Sequence, residues 1–185
     1  MKRVLLVALL ITVCPAHTSA KVRAKSPRLQ ATAAALVVQS FQLGEKSQQL
    51  FSIKDSLLAI VKAEAGNLSS RADFIVDAAM ELKYIATVAY FEGNLLGAVL
   101  ALREEFQSQY ISNRILELEN AINNTISSLR PLQVAVAAIK NSEALPQIEQ
   151  SIQVTQSLLE IYRNSIEILQ KMVENKTGEQ EQIQQ

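Results

Sequence analysis

Leucine recurs at every seventh position near the start of the chain, at Leu29, Leu36, Leu43, Leu50 and Leu57. An α-helix has about 3.6 residues per turn, so this repeat predicts a helix with one apolar side. Val37, Phe51 and Ile60 are expected to widen that side. A zipper dimer needs a second apolar row, but that row would consist of Ala33, Ser40, Ser47 and Lys54. The pattern therefore favours a stripe facing the chain's own core over a dimer seam.

Two further seams advance in alternating steps of four and three residues. The first contains Ile111, Ile115, Leu118, Ile122, Thr125, Leu129, Leu132, Val136 and Ile139. The second contains Ile148, Ile152, Thr155, Leu159, Tyr162, Ile166, Leu169 and Val173. Proline inside a helix costs about 3 kcal/mol. The first seam crosses Pro131, so we expect either a kink there or a new, nearly collinear helix beginning at that residue.

Helix-breaking residues are scarce, with 4 Pro and 5 Gly among 185 residues, and no strand-like alternation is present. The breaks that do occur predict helices over about 27–65, 71–110, 110–139 and 146–174. Long helices joined by short loops pack antiparallel. The predicted fold class is therefore all-α, an elongated up-down bundle of about four long helices.

The first twenty residues have the three parts of a secretory signal peptide. Lys2 and Arg3 precede the apolar segment 4–13, and Pro15 and a small residue, Ala20, follow it. The apolar segment is too short to span a hydrocarbon core roughly 30 Å thick. We expect cleavage after Ala20 and a secreted, extracellular protein; a short uncleaved anchor is the alternative.

Four regions follow from these patterns: a signal peptide over 1–20, a basic flexible N-terminus over 21–26, a helical bundle over 27–174 and a disordered tail over 175–185. Without Lys2 and Arg3, 16 basic residues oppose 18 acidic ones, a net charge of −2. That balance offers no electrostatic basis for binding nucleic acid.

The residues of common catalytic sites are missing beyond the leader. Cys14 and His17 are the only cysteine and histidine, and the chain has no Trp. A Ser-His-Asp triad, a Cys-His pair and a His/Cys zinc site are therefore excluded from residues 21–185. We expect neither an enzyme nor a cofactor or metal, and a fold held by its core without disulfides.

Residues 84–102 form the most apolar segment, with Thr87, Glu92 and Asn94 as its polar side chains. Its length would suffice to span a membrane, but an acidic residue near its middle would be costly there. The segment is better explained as the central, most buried helix of the bundle. The spacing of Gly93 and Gly97 predicts a close approach by a neighbouring helix.

Glu92 is the one carboxylate in so apolar a setting. It is a candidate ligand-facing group, or a carboxyl group with a raised pKa, although a solvent-facing position on its helix is expected more often. Tyr84, Tyr90, Tyr110 and Tyr162 could line an apolar pocket, but tyrosines at such positions are more often core residues with the hydroxyl group at the rim.

Three Asn-x-Ser/Thr sequences are candidate glycosylation sites, with acceptors Asn67, Asn123 and Asn175. Asn67 lies in a predicted loop and Asn175 at the start of the predicted tail, so both should be accessible. Asn123 is the weakest candidate because it lies within a helix and Thr125 belongs to the seam.

These features predict a secreted, non-enzymatic helical bundle that binds a protein partner or a hydrophobic ligand. By size and architecture only, the leader and cysteine-free bundle resemble the insect apolipophorin III type. That resemblance implies the alternative function, an amphipathic lipid carrier or lipid-surface protein with its apolar helix faces turned outward. Association of identical chains, and membrane contact without spanning, are both left open.

Overall fold

A computed structural model describes the backbone over residues 27–63, 70–102, 104–140 and 142–183. Side chains are described over 30–63, 71–102, 107–140 and 142–174. The predicted signal peptide, 1–20, and the predicted basic N-terminus, 21–26, lie outside these ranges.

The described residues form four helices, α1 (Pro27–Ala63), α2 (Ser70–Val99), α3 (Glu104–Ala138) and α4 (Leu145–Ile183). Each helix contacts the next along the chain, and α4 closes the ring by contacting α1. The connections are short, so neighbouring helices run antiparallel. The prediction of an all-α bundle is confirmed.

The leucine repeat of α1 faces the interior of this bundle. Leu36, Leu43, Leu50 and Leu57 are all fully buried. The prediction of a core-facing stripe is thus confirmed at these four positions, while the side chain of Leu29 lies outside the described residues. Val37 does not widen the stripe as expected, because it is 52% exposed.

The connection between α2 and α3 differs from its prediction. We expected a helix to continue to residue 110, but α2 ends at Val99 and α3 begins at Glu104. The Gln107 side-chain amide donates to the Leu102 carbonyl over 2.9 Å, which satisfies an acceptor in the turn. No proline and no run of turn residues marks this connection, so the local sequence does not reveal it.

Pro131 lies inside α3, and the helix is continuous through it. The alternative of a separate helix beginning at Pro131 is therefore wrong. Proline cannot donate to the carbonyl four residues earlier, that of Ser127. Ser127 is exposed, so water can bond this carbonyl and the cost of the missing hydrogen bond falls. Leu132 and Ile139 continue the buried side beyond the proline.

The last helix is longer than predicted. We placed its end near residue 174, whereas α4 continues to Ile183. Glu, Gln and Lys are good helix formers and make up most of this extension.

The apolar segment of α2 has a buried inner side and an exposed outer side. Leu96 and Val99 are fully buried, and α2 contacts each of the other three helices. In a ring of four helices each helix keeps an outer side, and α2 exposes Tyr84, Tyr90 and Phe91 there. The segment is therefore part of the core, as predicted, but it is not enclosed on all sides. Among the helices that the structure describes, none combines the length and the hydropathy that a membrane span requires.

Small residues bring α1 and α2 into their closest contact. The Ser40 hydroxyl donates to the Gly93 carbonyl over 2.6 Å, and the Ser47 hydroxyl donates to the Ala86 carbonyl over 2.7 Å. The two contacts are one heptad apart on each helix, in opposite directions, as an antiparallel pair requires. A Cβ atom on Gly93 would lie 3.0 Å from the Ser40 carbonyl oxygen. The close approach predicted for Gly93 is confirmed.

Candidate functional site

A charged cluster lies within the bundle between α2 and α3. Glu92 is 9% exposed and Arg114 is 6% exposed. Arg114 Nη1 lies 3.4 Å from Glu92 Oε2, and its Nη2 contacts Glu117 Oε2. One guanidinium group thus faces two carboxylates, one buried and one near the surface.

Burial raises the pKa of the Glu92 carboxyl group, and the positive charge of Arg114 opposes part of that rise. The prediction of a solvent-facing Glu92 is wrong, because Arg114 pairs with the carboxylate inside the bundle. The alternative of a raised pKa agrees with the structure. A role for Glu92 in contacting a ligand stays a prediction.

Two tyrosines border this cluster. Arg114 Cζ lies 5.4 Å from the centre of the Tyr110 ring, and the Tyr110 hydroxyl donates to the Leu95 carbonyl over 3.3 Å. Tyr162 of α4 is fully buried and its hydroxyl group has no hydrogen-bond partner. Burial, followed by the charge of Glu92, raises the pKa of Tyr162. Tyr84 and Tyr90 are exposed, so the four tyrosines do not line one pocket as the sequence suggested.

The Glu92–Arg114 pair keeps two opposite charges in contact inside the bundle. Glu92 is engaged by a cation, and the cluster lies inside a bundle whose other buried polar side chains are mostly Ser and Thr. Its chemistry is that of a buried ion pair, in which the Arg114 guanidinium of α3 contacts the Glu92 carboxylate of α2. Arg114 was not predicted, although a signal exists: it lies three residues after Ile111 and four before Leu118, at core spacing.

A second feature is an exposed surface without charge. Residues 30–44 of α1 contain no Asp, Glu, Lys or Arg, and residues 89–102 of α2 contain only the buried Glu92. The Ser40–Gly93 contact places these two segments side by side. We call them together the uncharged end of the α1–α2 pair. The sequence showed the apolar composition of α2 here, but not that α1 would lie beside it.

Large apolar side chains project from the uncharged end. Phe41 is 71% exposed, Phe91 57% and Tyr90 51%. The Tyr90 and Phe91 rings contact each other edge to face, with their centres 5.8 Å apart. Val37 and Val38 are about half exposed beside Phe41. Such a concentration of exposed apolar groups is typical of interaction surfaces.

The remainder of the bundle surface is charged in the usual way. The other half of the α1–α2 pair carries exposed Asp55, Lys62, Asp77 and Lys83. On the second half of α4, which lies at the same end of the bundle as the uncharged end, exposed Arg163, Glu167 and Lys171 face solvent. The uncharged surface therefore lies on one side of the bundle only.

Two surface grooves lie elsewhere. One of about 360 Å³ is lined by Phe74 and Asp77 of α2 and by Ser127, Arg130, Pro131 and Val134 of α3. The other, of about 490 Å³, lies between α3 and α4 and is lined by Gln133, Val136, Glu149, Ile152 and Gln153. Neither includes Glu92. Within the part of the chain that the structure describes, no group of three or more Asp, Glu, His or Cys side chains could hold a metal ion.

The three candidate glycosylation sites are separated in the chain. Asn67 lies outside the described residues, and so does the side chain of Asn175, whose backbone belongs to α4. Asn123 is exposed on α3, but Thr125 of the same sequence is 2% exposed. Use of these sites stays a prediction.

Comparison with known proteins finds no matching family model, no similar curated protein and no similar solved structure.

Proposed function

We propose that this chain is a secreted, non-enzymatic protein that acts by binding, and that it binds through the uncharged end of α1 and α2. The exposure of Phe41, Tyr90 and Phe91 on one uncharged surface carries the proposal. Aromatic side chains with few charges around them are characteristic of the centres of interaction surfaces. The signal-like leader supports an extracellular location.

The chemistry of the chain supports binding rather than catalysis. No His or Cys follows residue 17, which removes the common nucleophile–base pairs. Glu92, the buried carboxylate, is engaged by Arg114. The grooves that the structure describes lie away from both features. A helix surface is therefore the better-supported binding site than an internal cavity.

The test compares two pairs of substitutions. Phe41→Ser with Phe91→Ser removes apolar groups from the uncharged end, and Leu116→Ser with Ile126→Ser removes exposed apolar groups from α3. We expect material that copurifies with the wild-type protein from the secreted fluid to be lost with the first pair and kept with the second. Circular dichroism checks that both variants fold. Equal retention by both variants would show that another surface binds.

A further inference from the structure

The exposed aromatic side chains of the uncharged end lie at one level along the bundle. The Ser40 hydroxyl donates to the Gly93 carbonyl. Because α1 and α2 are antiparallel, this contact sets Phe41 level with the neighbourhood of Phe91, whose ring packs edge to face against Tyr90. The three rings therefore form a raised band that crosses both helices, and we call Phe41, Tyr90 and Phe91 the aromatic ridge.

Small residues follow the aromatic ridge toward the end of the bundle. Ala31 and Ala34 are exposed on α1, and Gly97 and Ala101 are exposed on α2. They lie six to ten residues beyond the ridge, which is roughly 9–15 Å at about 1.5 Å per residue. Their side chains rise little above the backbone, so the surface is lower here, and we call these four residues the small-residue hollow.

The ridge and the hollow are related so that one two-fold axis can place each on the other. Phe41 and Ala34 lie on the same side of α1, seven residues apart, and Tyr90 and Ala101 lie on the same side of α2, eleven residues apart. The Ser40–Gly93 contact sets the midpoints of these two pairs at the same level. An axis that crosses both helices there brings Phe41 opposite Ala34 of a second copy, and Tyr90 opposite Ala101.

We propose that the uncharged end joins two copies of this chain in a two-fold symmetric dimer, an inference that rests on the proposed function. In such a dimer the same surface serves both copies. The axis reverses the helix direction, so α1 of one copy lies antiparallel to α1 of the other. An axis parallel to the helices would instead set ridge against ridge and leave the hollows empty.

The absence of charge from this surface favours a second copy as its occupant. A charged partner would lose hydration against the ridge and gain no opposite charge there. A second copy offers an uncharged surface of equal length, and the charged halves of the two bundles then point away from each other. This contact needs no net charge at this end of the bundle, where α4 exposes both signs at Glu167, Lys171 and Glu174.

The size of the surface predicts a reversible dimer. At roughly 150–250 Å² for each aromatic side chain, the exposed fractions of the ridge correspond to roughly 350 Å² per copy. The half-exposed Val37 and Val38 and the hollow add to this area. The area from two copies comes near the lower end of the about 1,200–2,000 Å² that stable interfaces bury. We therefore expect association that depends on protein concentration.

The test uses the full chain, expressed in eukaryotic cells and purified as those cells process it. Sedimentation velocity over a wide range of concentrations should show monomer at the low end and dimer at the high end. Ala34→Glu places a charge against the ridge and should weaken dimerisation about tenfold or more. Ala59→Glu, at an exposed alanine in the charged half of α1, should leave it unchanged. A monomer at every concentration, or equal weakening by both variants, would overturn the inference.

Exchanging a large and a small side chain tests the two-fold arrangement itself. Ala34→Phe sets ring against ring at both symmetry-related contacts, and Phe41→Ala leaves a gap at both, so each variant alone should dimerise more weakly than the wild type. An equimolar mixture should recover the dimer, because each contact of the mixed dimer pairs one ring with one alanine. A mixture that associates no better than its components would show that Phe41 does not oppose Ala34.

The serine variants separate this inference from the proposed function. Phe41→Ser with Phe91→Ser should abolish the dimer, and Leu116→Ser with Ile126→Ser should keep it. If the wild type is monomeric but the first variant still loses a different copurifying molecule, the dimer inference fails and the proposed function stands. If the first variant dimerises as the wild type does and also retains its copurifying material, both proposals fail.

Discussion

At the residue scale, the cost of burying charge explains the Glu92 cluster. A carboxylate loses its hydration when buried, and a single ion pair with a guanidinium recovers only part of that loss. Arg114 is shared with Glu117, and its Nε is buried without a partner. The net result is the raised pKa of Glu92. Arg114 thus links α3 to α2, and the direction of the Glu92 pKa shift implies that ionisation of this carboxyl group opposes folding.

This balance predicts the effect of Glu92→Gln on stability. The pKa of Glu92 in the folded protein lies above its ordinary value of 4.5, so its contribution to stability is complete below pH 4.5 and is lost as the pH rises through the folded-state pKa. Glutamine does not titrate. The free energy of unfolding of the variant, relative to wild type, should therefore rise between pH 4.5 and neutral pH.

Urea denaturation across that pH range measures the effect, with the exposed Glu160→Gln as the matched control. A relative stability of Glu92→Gln that falls as the pH rises would mean that Arg114 stabilises the ionised carboxylate more than burial opposes it.

The hydroxyl group of Tyr162 is a second site where burial costs free energy. It is buried without a hydrogen-bond partner, and an unsatisfied buried polar group costs about 1–3 kcal/mol. Tyr162→Phe keeps the ring and removes this cost, so the variant should be more stable than the wild type by about 1 kcal/mol. Thermal unfolding tests this. A lower melting temperature would show that the hydroxyl group has a partner in solution.

At the scale of the helices, small residues decide how closely α1 and α2 approach. Ser40 and Ser47 occupy the row that the sequence excluded from a zipper dimer, and this row is where α2 packs. Serine hydroxyl groups donate to helix carbonyls across the contact, and glycine leaves room for the opposing backbone. The small and polar residues of this second row argued against a dimer. The sequence pattern did not reveal that α2 would pack against them.

Two glycine-to-alanine substitutions distinguish the effect of helix packing on stability from the effect of helix propensity. A Cβ atom on Gly93 would meet the Ser40 carbonyl oxygen at 3.0 Å and the Leu43 Cβ atom at 3.2 Å, while one on Gly44 would meet nothing within 4 Å. Gly93→Ala should therefore destabilise the protein by about 1–3 kcal/mol, because backbone must move. Gly44→Ala should stabilise it by about 0.5–1 kcal/mol through helix propensity alone.

Urea denaturation of the two alanine variants measures these free energies. The opposite signs serve as mutual controls, since both variants replace a helical glycine by alanine. Stabilisation by Gly93→Ala would contradict the close contact of α1 and α2.

At the scale of the whole molecule, the surface is divided into an uncharged end and a charged remainder. Charged residues keep the other half of the α1–α2 pair and the outer side of α4 in water. The uncharged end has no such charged side chains on its surface, although the inner sides of its helices pack into the core. A one-sided surface of this kind suits a protein that functions while bound to a partner.

The extracellular location that this assignment assumes has a direct test. The leader should be removed during secretion, so that the protein begins at Lys21. N-terminal sequencing of secreted material reads the start directly. The variant Ala20→Arg should slow or redirect cleavage, because the position before the cut favours small residues. Secreted protein that begins at Met1 would contradict the assignment.

Local sequence patterns specify the helical class and the buried seams. Scarce breakers permit long helices, and apolar residues at three- and four-residue steps mark one buried side on each, as Leu43, Leu118 and Leu169 show. These properties are local, because they depend on residues within a few turns of one another.

The burial of residues beside those seams depends instead on how the helices pack. A residue flanking an apolar stripe is buried or exposed according to which neighbouring helix lies against it, and no local pattern specifies that neighbour. Glu92 is therefore buried because Arg114 of α3 reaches it, whereas Phe41 and Phe91, more apolar than Glu92, are exposed because no described helix covers them. The candidate binding surface is formed by two segments that are distant in the chain. It could therefore be recognised only once the fold was known.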